Sequence, residues 1–251
     1  MWQKKYLIVS DLHTPFHDLP LYKAIIKFAV ENGITDLVLN GDILDFFMIS
    51  KYPKIVNGTH RKLDLQSEID EFISLMIYTR KIFKGHIYFV RGNHEQRLEK
   101  FLASKAPEIS NLRSLDLREL CSFQRFDIIY VPKWLVIPAP PNILVIYHGI
   151  FTGENSSKRE LLRHNCNLIC GHTHKTSFYE ATSYFGKVTC WHTGSLADKS
   201  LIDENCKYSE YSYQSQSFAI LSVNKEYFNV EIVNCSSCDF IYGGKVYEKI
   251  Y

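Results

Sequence analysis

The sequence predicts an α/β fold, and three observations carry that prediction. Apolar runs of strand length alternate with helical periodicity through the N-terminal half. Five apolar runs end directly in residues able to bind metal ions. Beyond Ile128 the texture changes to closely spaced short strands punctuated by Gly and Pro.

Tyr6 to Ser10 reads as a buried strand ending at Asp11. Leu19 to Glu31 follows with Leu21, Ile25, Phe28 and Ala29 on one helical face, and Asn32-Gly33 stops it. Asp36 to Asn40 is a second strand, ending at Gly41-Asp42, which completes a β-α-β unit. Phe46 to Lys62 reads as an irregular loop, long enough either to cover something or to be a solvated excursion. Leu65 to Lys84 is a helix with a stripe at Ile69, Phe72, Ile73, Met76, Ile77 and Ile82. It returns the chain to the strand Ile87 to Val90 and the turn Gly92-Asn93-His94-Glu95.

Helical segments are expected from Glu95 to Ser104 and near Leu112 to Leu120. Ile128 to Val131, Leu135 to Ile137 and Ile143 to Tyr147 read as strands, the last ending at His148-Gly149. Ser157 to Arg163 is a short helix, and Leu168 to Cys170 a strand ending at Gly171-His172-Thr173-His174. Ser177 to Thr182 and Val188 to Trp191 form a hairpin, and Tyr208 to Gln216 is a polar, Tyr-rich loop. Phe218 to Val223 and Phe228 to Val233 close the chain as a hairpin before a tail punctuated by Gly243-Gly244. With no repeat and no linker, residues 1–251 read as a single domain.

Composition excludes several classes. At 46% hydrophobic and 22% charged the chain is globular rather than disordered. A net charge of +2 is not the signature of a dedicated nucleic-acid binder, although a local basic groove is compatible with it. The most apolar region is broken by Pro132, Pro138, Pro140 and Pro141, so it spans no membrane. The N-terminal apolar run is too short for a signal peptide. Seven scattered cysteines fit free thiols in a reducing, cytoplasmic setting. Cys235-Ser-Ser-Cys238 is a lone C-x-x-C, and Cys166 and Cys170 read as small hydrophobes beside a strand.

In an open α/β sheet, ligands bind beyond the carboxyl ends of the strands. Asp11-Leu12-His13, Gly41-Asp42, Gly92-Asn93-His94, His148-Gly149 and Gly171-His172-Thr173-His174 all stand there and hold five of the ten histidines. Any single motif is ordinary turn chemistry; five behind separate strands point to a metal centre. Carboxylate and amide oxygens mixed with imidazoles, without thiolate, suit borderline divalent ions. Seven candidate donors exceed one tetrahedral site, so two ions sharing a carboxylate is the natural arrangement. Such a pair activates water and clamps both moving oxygens of an in-line phosphoryl displacement. No G-x-S-x-G or phosphate-cradling P-loop competes with that reading.

The order D-x-H, G-D-x-x-D, G-N-H-E, H-G, G-H-x-H from Asp11 to His174 resembles the calcineurin-like metallophosphoesterase superfamily. The resemblance implies a four-layer α/β/β/α sandwich of two mixed sheets flanked by helices. It implies that Asp11, His13 and His174 bind one metal, that Asn93, His148 and His172 bind the other, and that Asp42 bridges them. It implies two divalent ions, Mn first with Fe, Zn or Ni as alternatives, and a metal-bridging hydroxide attacking phosphorus. His94 then assists the leaving oxygen, and Asp45 orients His94 through its carboxylate. Glu95 opens the following helix, where a carboxylate favours the N-terminal dipole.

Arg91 to Arg97 resembles the matching segment of the serine/threonine phosphoprotein phosphatases, yet Phe46 stands where those enzymes place a phosphate-gripping arginine. Gly171-His172-Thr173-His174 has the pattern of the phosphodiesterase and nuclease branches. Asp11 to Pro53 and Phe218 to Tyr247 look like phosphoesterases common in phage and mobile-element genomes. The expected substrate is therefore a phosphodiester of nucleic acid or nucleotides. The alternatives are a general phosphomonoesterase or protein phosphatase, or a non-catalytic metal-binding scaffold of the same fold. Arg97 is a candidate phosphate contact, a helix-surface salt bridge being its competing role. Loops bearing Phe46, Phe47, Tyr52, His60, Arg61 and Lys62, and Tyr208, Tyr211 and Tyr213, are candidate stacking walls. His192 reads either as a neighbour of the metals or as a satisfied strand-end histidine, and is not counted as a ligand. His17, His60, His86 and His164 receive no metal role.

Overall fold

Successive residues of the first strand enter two different apolar environments, and the architecture follows from that alternation. In a computed structural model, residues 4–50, 64–183, 186–198, 200–201, 214–236 and 239–251 are described. β1 (Lys4–Val9) sends Leu7 and Val9 into one core cluster and Tyr6 and Ile8 into another. A strand buried on both faces needs a covering layer on each side.

α1 (Leu19–Glu31) supplies the first cover. The Asp18 carboxylate caps it by accepting the N–H of Leu21 at 3.1 Å, and Leu21, Ile25, Phe28 and Ala29 are buried as the spacing predicts. β2 (Asp36–Asn40) lies parallel to β1, with Leu7 beside Leu37. α2 (Leu65–Ile82) leads to β3 (His86–Val90), parallel to β2. The buried face of α2 is rotated from the expected stripe: Glu68 and Leu75 are buried, whereas Ile77 is exposed. α3 (Glu95–Lys105) follows the Gly92 turn.

The expected helix from Leu112 to Leu120 is instead a 3-10 turn, Arg113–Leu115, followed by the single-turn α4 (Leu117–Leu120). Asp116 divides them, its carboxylate accepting the N–H of Arg118 at 2.8 Å as an N-cap. The remaining elements are β4 (Ile128–Val131), β5 (Leu135–Ala139), β6 (Asn142–Ile146), α5 (Ser156–His164), β7 (Asn167–Cys170), β8 (Ser177–Ser183) and β9 (Gly186–His192). β10 (Gln216–Val223), β11 (Phe228–Ser236), β12 (Asp239–Tyr242) and β13 (Lys245–Glu248) complete the chain. The last two correct the expected tail: Gly243 and Gly244, both at positive φ, form the turn of a hairpin.

The first sheet has eight strands in the order β13-β12-β11-β10-β1-β2-β3-β4, and the second has five in the order β5-β6-β7-β9-β8. Both mix parallel and antiparallel pairs. Ile8, Val38 and Val90 of the first sheet share a core with Ile137, Leu144 and Ile169 of the second, so the sheets pack face to face. Leu37, Leu39, Phe89 and Phe218 join Phe28, Phe72 and Met76 under α1 and α2. Val145, Leu168, Val188 and Cys190 pack with Leu161 of α5 on the far side. Helix, sheet, sheet and helix thus make the four-layer α/β/β/α sandwich. Residues 47–49 form a 3-10 turn; the rest of the expected 46–62 loop beyond residue 50, and Tyr208, Tyr211 and Tyr213, lie outside the described residues. Among the described residues, no helix is long and apolar enough to cross a membrane.

Candidate metal centre

β1, β2, β3, β6 and β7 all run into the strand-end motifs, which the facing sheets bring to one rim. The loops are bolted to one another through the backbone. Asp11 N–H donates to Gly41 O at 3.1 Å, His13 N–H to Asp42 O at 2.9 Å, and Gly171 N–H to His148 O at 2.9 Å. Two aspartates extend this with one oxygen each. Asp11 Oδ2 accepts His172 N–H at 3.0 Å, and Asp42 Oδ1 accepts His94 N–H at 2.8 Å. Space is tight where loops cross: a Cβ on Gly41 would sit 2.6 Å from the His148 ring, and one on Gly92 would strike the Asp42 carboxylate. Asp11, His13, Asp42, Phe46, His172 and His174 all adopt left-handed φ between 51° and 71°. Such strain in non-glycine residues is tolerated where surrounding structure over-determines it, as it does at built sites.

The donors fall into two groups, Asp11 with His13 and His174, and Asp42 with His148 and His172. In the first, His174 Nε2 lies 3.2 Å from Asp11 Oδ1 and 3.0 Å from His13 Nε2. In the second, His148 Nε2 lies 3.0 Å from Asp42 Oδ2, and 3.9 Å from Asp11 Oδ1 of the other group. Second partners set the rings. His13 Nδ1 donates to the Asp45 carboxylate at 2.8 Å and His148 Nδ1 to Asn40 O at 3.0 Å, so each presents Nε2 to the centre.

These residues fit divalent cations. Asn93 Oδ1 is buried without a hydrogen-bond partner within the protein, and the buried Asp11 Oδ1 and His148 Nε2 face other candidate ligands, His174 at 3.2 Å and Asp42 at 3.0 Å. Burying an atom without a partner is costly, and a cation beside it removes the cost. Burial pushes His172 down to about 4, the neighbouring His148 helping, and burial also lowers His13; both are then neutral, as ligands must be. Burial opposes charge on His148 too, but Asp42 and Asp11 outweigh it and push the imidazole up to about 10. The two carboxylates therefore call for positive charge at that point.

His94, Asp45 and Arg97 stand beside the donors. His94 Nδ1 donates to the backbone carbonyl of Asp45 at 3.0 Å and lies 3.4 Å from its carboxylate. The Asp45 carboxylate makes its shorter bond to His13, so it orients a donor ring as well as flanking His94. Burial favours a protonated Asp45, but His94 and His13 hold it well below the usual carboxylate range. Burial disfavours charge on His94, but Asp42 and Asp45 raise its pKa above the ordinary value. Arg97 is drawn inward rather than lying on the helix surface. Its guanidinium donates to Asp45 O at 2.8 Å and to His94 Nε2 at 2.7 Å.

Three buried glutamates each hold loop backbone in a way that sequence reasoning missed. Glu95 accepts four backbone N–H groups, from Asp42 at 3.0 Å, Ile43 at 2.8 Å, Leu44 at 3.1 Å and Gly92 at 2.7 Å. It does open α3, but its side chain turns inward. Glu68 accepts Phe46 N–H at 2.6 Å and Phe47 N–H at 3.0 Å. Glu160 accepts Ile150 N–H at 2.7 Å and Phe151 N–H at 2.9 Å, beyond His148. The sequence signal was a charge on an apolar helix face, Glu68 beside Ile69 and Phe72, and Glu160 beside Leu161.

Phe46 and Phe47 are themselves buried, packed into core clusters, so they offer no stacking face. His192 is fully buried with Nδ1 3.1 Å from Thr173 Oγ1, and belongs to neither donor group. His17, His86 and His164 also lie outside those groups, and His60 is outside the described residues.

A family model described as calcineurin-like phosphoesterase matches residues 4–176. The chain is similar to the gene 54 protein of Mycobacterium phage L5, at 25% identity over 261 residues, covering 98% of this chain and 99% of that protein. It is similar to the gene 54 protein of Mycobacterium phage D29 at 24% identity over 258 residues, with the same coverage. Among solved structures, Vps29 of Chaetomium thermophilum superposes with a TM-score of 0.52 at 13% identity, covering 98% of this chain and 100% of that one. At that identity the likeness is one of fold.

Proposed function

Because the chain belongs to the calcineurin-like phosphoesterase family, we propose that it is a dimetal hydrolase acting on phosphodiesters of nucleic acid or nucleotides. Metal-dependent phosphoester hydrolysis is the family's chemistry in general. The observation that carries the reading is the pair of donor groups, Asp11 with His13 and His174 and Asp42 with His148 and His172, whose facing atoms His148 Nε2 and Asp11 Oδ1 lie 3.9 Å apart. Asp11, His13 and His174 would hold one ion, Asn93, His148 and His172 the other, and Asp42 both, with Mn foremost. Bound there, the ions would supply an acidified water and positive charge for the phosphoryl oxygens.

The chain's own groups do the rest. Asp45 and Asn40 O hold the rings of His13 and His148 so that Nε2 faces inward. His94 protonates the leaving oxygen from Nε2. An arginine has donors only, so its 2.7 Å contact with that nitrogen requires a neutral His94. In the acid-competent state Arg97 must leave Nε2, and the substrate phosphate is the group that draws it away. Asp42 and Asp45 then favour the imidazolium that His94 needs.

The Gly171-His172-Thr173-His174 pattern supports a diester over a phosphoprotein substrate. So does Phe46, buried where a phosphate-gripping arginine would stand in the protein phosphatases. Mn-loaded protein is expected to hydrolyse bis-p-nitrophenyl phosphate faster than p-nitrophenyl phosphate. The reverse ratio would make it a phosphomonoesterase, and failure on both would overturn the enzyme reading in favour of a scaffold.

A further inference from the structure

Cys170, Cys190 and His192 meet on the α5 side of the five-stranded sheet, and none of them takes part in the centre described above. β7 and β9 are parallel with Cys170 beside His192, and Cys190 lies two residues back on the same face. The two Sγ atoms and an imidazole nitrogen lie within 4.8 Å of one another, and all three residues are fully buried.

Hydrogen bonding assigns the tautomer of His192. The Thr173 hydroxyl spends its proton on Lys175 O at 3.2 Å, so at 3.1 Å it accepts from His192 Nδ1–H. Nε2 is then the bare nitrogen, buried with no well-aligned hydrogen bond and with the Cys190 thiol as its polar neighbour. A ring oriented through one nitrogen while the other carries an unused lone pair beside two thiols is the arrangement of a metal-ligating histidine.

We propose that Cys170, Cys190 and His192 form a second metal site, for a single thiophilic cation such as Zn²⁺ or Cu⁺. Thiolate sulfur with one imidazole selects soft ions, in contrast to the oxygen-rich rim. The nearby Glu160 carboxylate is already taken by Ile150 and Phe151 N–H and by the Tyr147 hydroxyl. The ion would rivet β7 to β9 just before the turn carrying His172 and His174, where Thr193 N–H also donates to Cys170 O at 2.9 Å. Both thiols lose a proton on binding, and no electron is transferred.

The test uses the full chain, purified under reducing conditions, stripped of metal and titrated with Co²⁺ alone. Cobalt at the rim has no sulfur ligand, so a near-ultraviolet sulfur-to-cobalt band reports only a thiolate site. The expected result is that band, its loss in Cys190→Ser together with one ion per chain, and its retention in Cys235→Ser/Cys238→Ser. Should Cys190→Ser fail to fold, X-ray absorption of Zn-loaded wild-type protein is expected to show sulfur at about 2.3 Å. Sulfur ligation seen with Cu⁺ but not with Co²⁺ or Zn²⁺ assigns a three-coordinate soft ion. No sulfur signature with any of the three, or one lost with Cys235 and Cys238 instead, overturns the proposal.

Discussion

Glu95 Oε2 accepts the backbone N–H of Asp42 at 3.0 Å, so a carboxylate on the first turn of α3 fixes the aspartate that would join two ions. The same side chain collects Ile43, Leu44 and Gly92, tying the end of β2 to the end of β3. Four donors meet the two oxygens of one carboxyl group. In Glu95→Gln an amide nitrogen must face two of those N–H groups, whichever way it turns. We expect Glu95→Gln to weaken Mn²⁺ binding about 10–100-fold, as loss of a ligand-orienting partner does, and to cost about 1–3 kcal/mol in stability. Calorimetric titration and denaturant unfolding check this. Unchanged Mn²⁺ affinity would reduce Glu95 to a helix-opening residue.

His94→Ala separates acid from ligand. His94 Nε2 meets Arg97 and its Nδ1 meets Asp45 O, and although His94 lies close enough to His13 and Asp45 to share a cation with them, it belongs to neither the Asp11 group nor the Asp42 group. Both ions should remain bound while kcat falls about 10²–10⁴-fold. Metal analysis alongside single-turnover kinetics distinguishes the roles. An ion lost with the ring would make His94 a ligand.

Glu68 gives a pH signature of the loop beyond Asp45. Burial pushes its carboxyl up to about 8, and Asp45 adds to that, against the opposing N–H bonds from Phe46 and Phe47. An unfolded glutamate titrates near about 4.3, so the folded chain binds this proton more tightly. Its stabilising contribution is therefore full below about pH 4 and is lost as the pH rises through about 8. Glu68→Gln cannot ionise. Between about pH 5 and pH 9 its unfolding free energy should gain on the parent's by about 3–5 kcal/mol. Parallel urea midpoints across that range would refute the shift.

Strand-end placement made the candidate donors of the rim legible, because Asp11, Asp42, Asn93, His148 and His172 each follow an apolar run whose length and flanks mark a strand. What supports them was not legible. A carboxylate that accepts backbone N–H groups from loops distant in sequence, as Glu95 does across fifty-odd residues to Asp42, looks in sequence like any helix-opening glutamate. Left-handed φ is announced by glycine, but here Asp11, His13 and His172 adopt it. For Arg97 the sequence left a phosphate contact and a helix-surface salt bridge both open, because helical spacing does not say that His94 and Asp45 stand under its guanidinium. The pairing of β7 with β9 is a parallel contact across the β8 excursion, and only that register sets Cys170 beside His192. The Gly243-Gly244 hairpin was missed for a different reason: its strands are only four residues long and Phe240 is their one buried residue, so they lack a strong apolar alternation.

Asn93 permits a test in which the sign of a stability change reports occupancy. Its Oδ1 is buried without a hydrogen-bond partner, which makes it a liability in the metal-free protein. Leaving such an atom unpaired costs about 1–3 kcal/mol, so Asn93→Ala should match or exceed the parent in thermal stability when a chelator is present. With Mn²⁺ the order should reverse. An ion bound only by the folded state stabilises it by about 2.7 kcal/mol at a hundred times Kd, and Asn93→Ala forfeits this for the ion it helps to hold. The ion held by Asp11, His13 and His174 should be retained, so Mn content should fall from two per chain toward one. Melting curves in EDTA and in Mn²⁺, with metal analysis, read both effects. If Asn93→Ala were less stable by the same amount in both media, its amide would be a structural group, and the second ion would need another ligand.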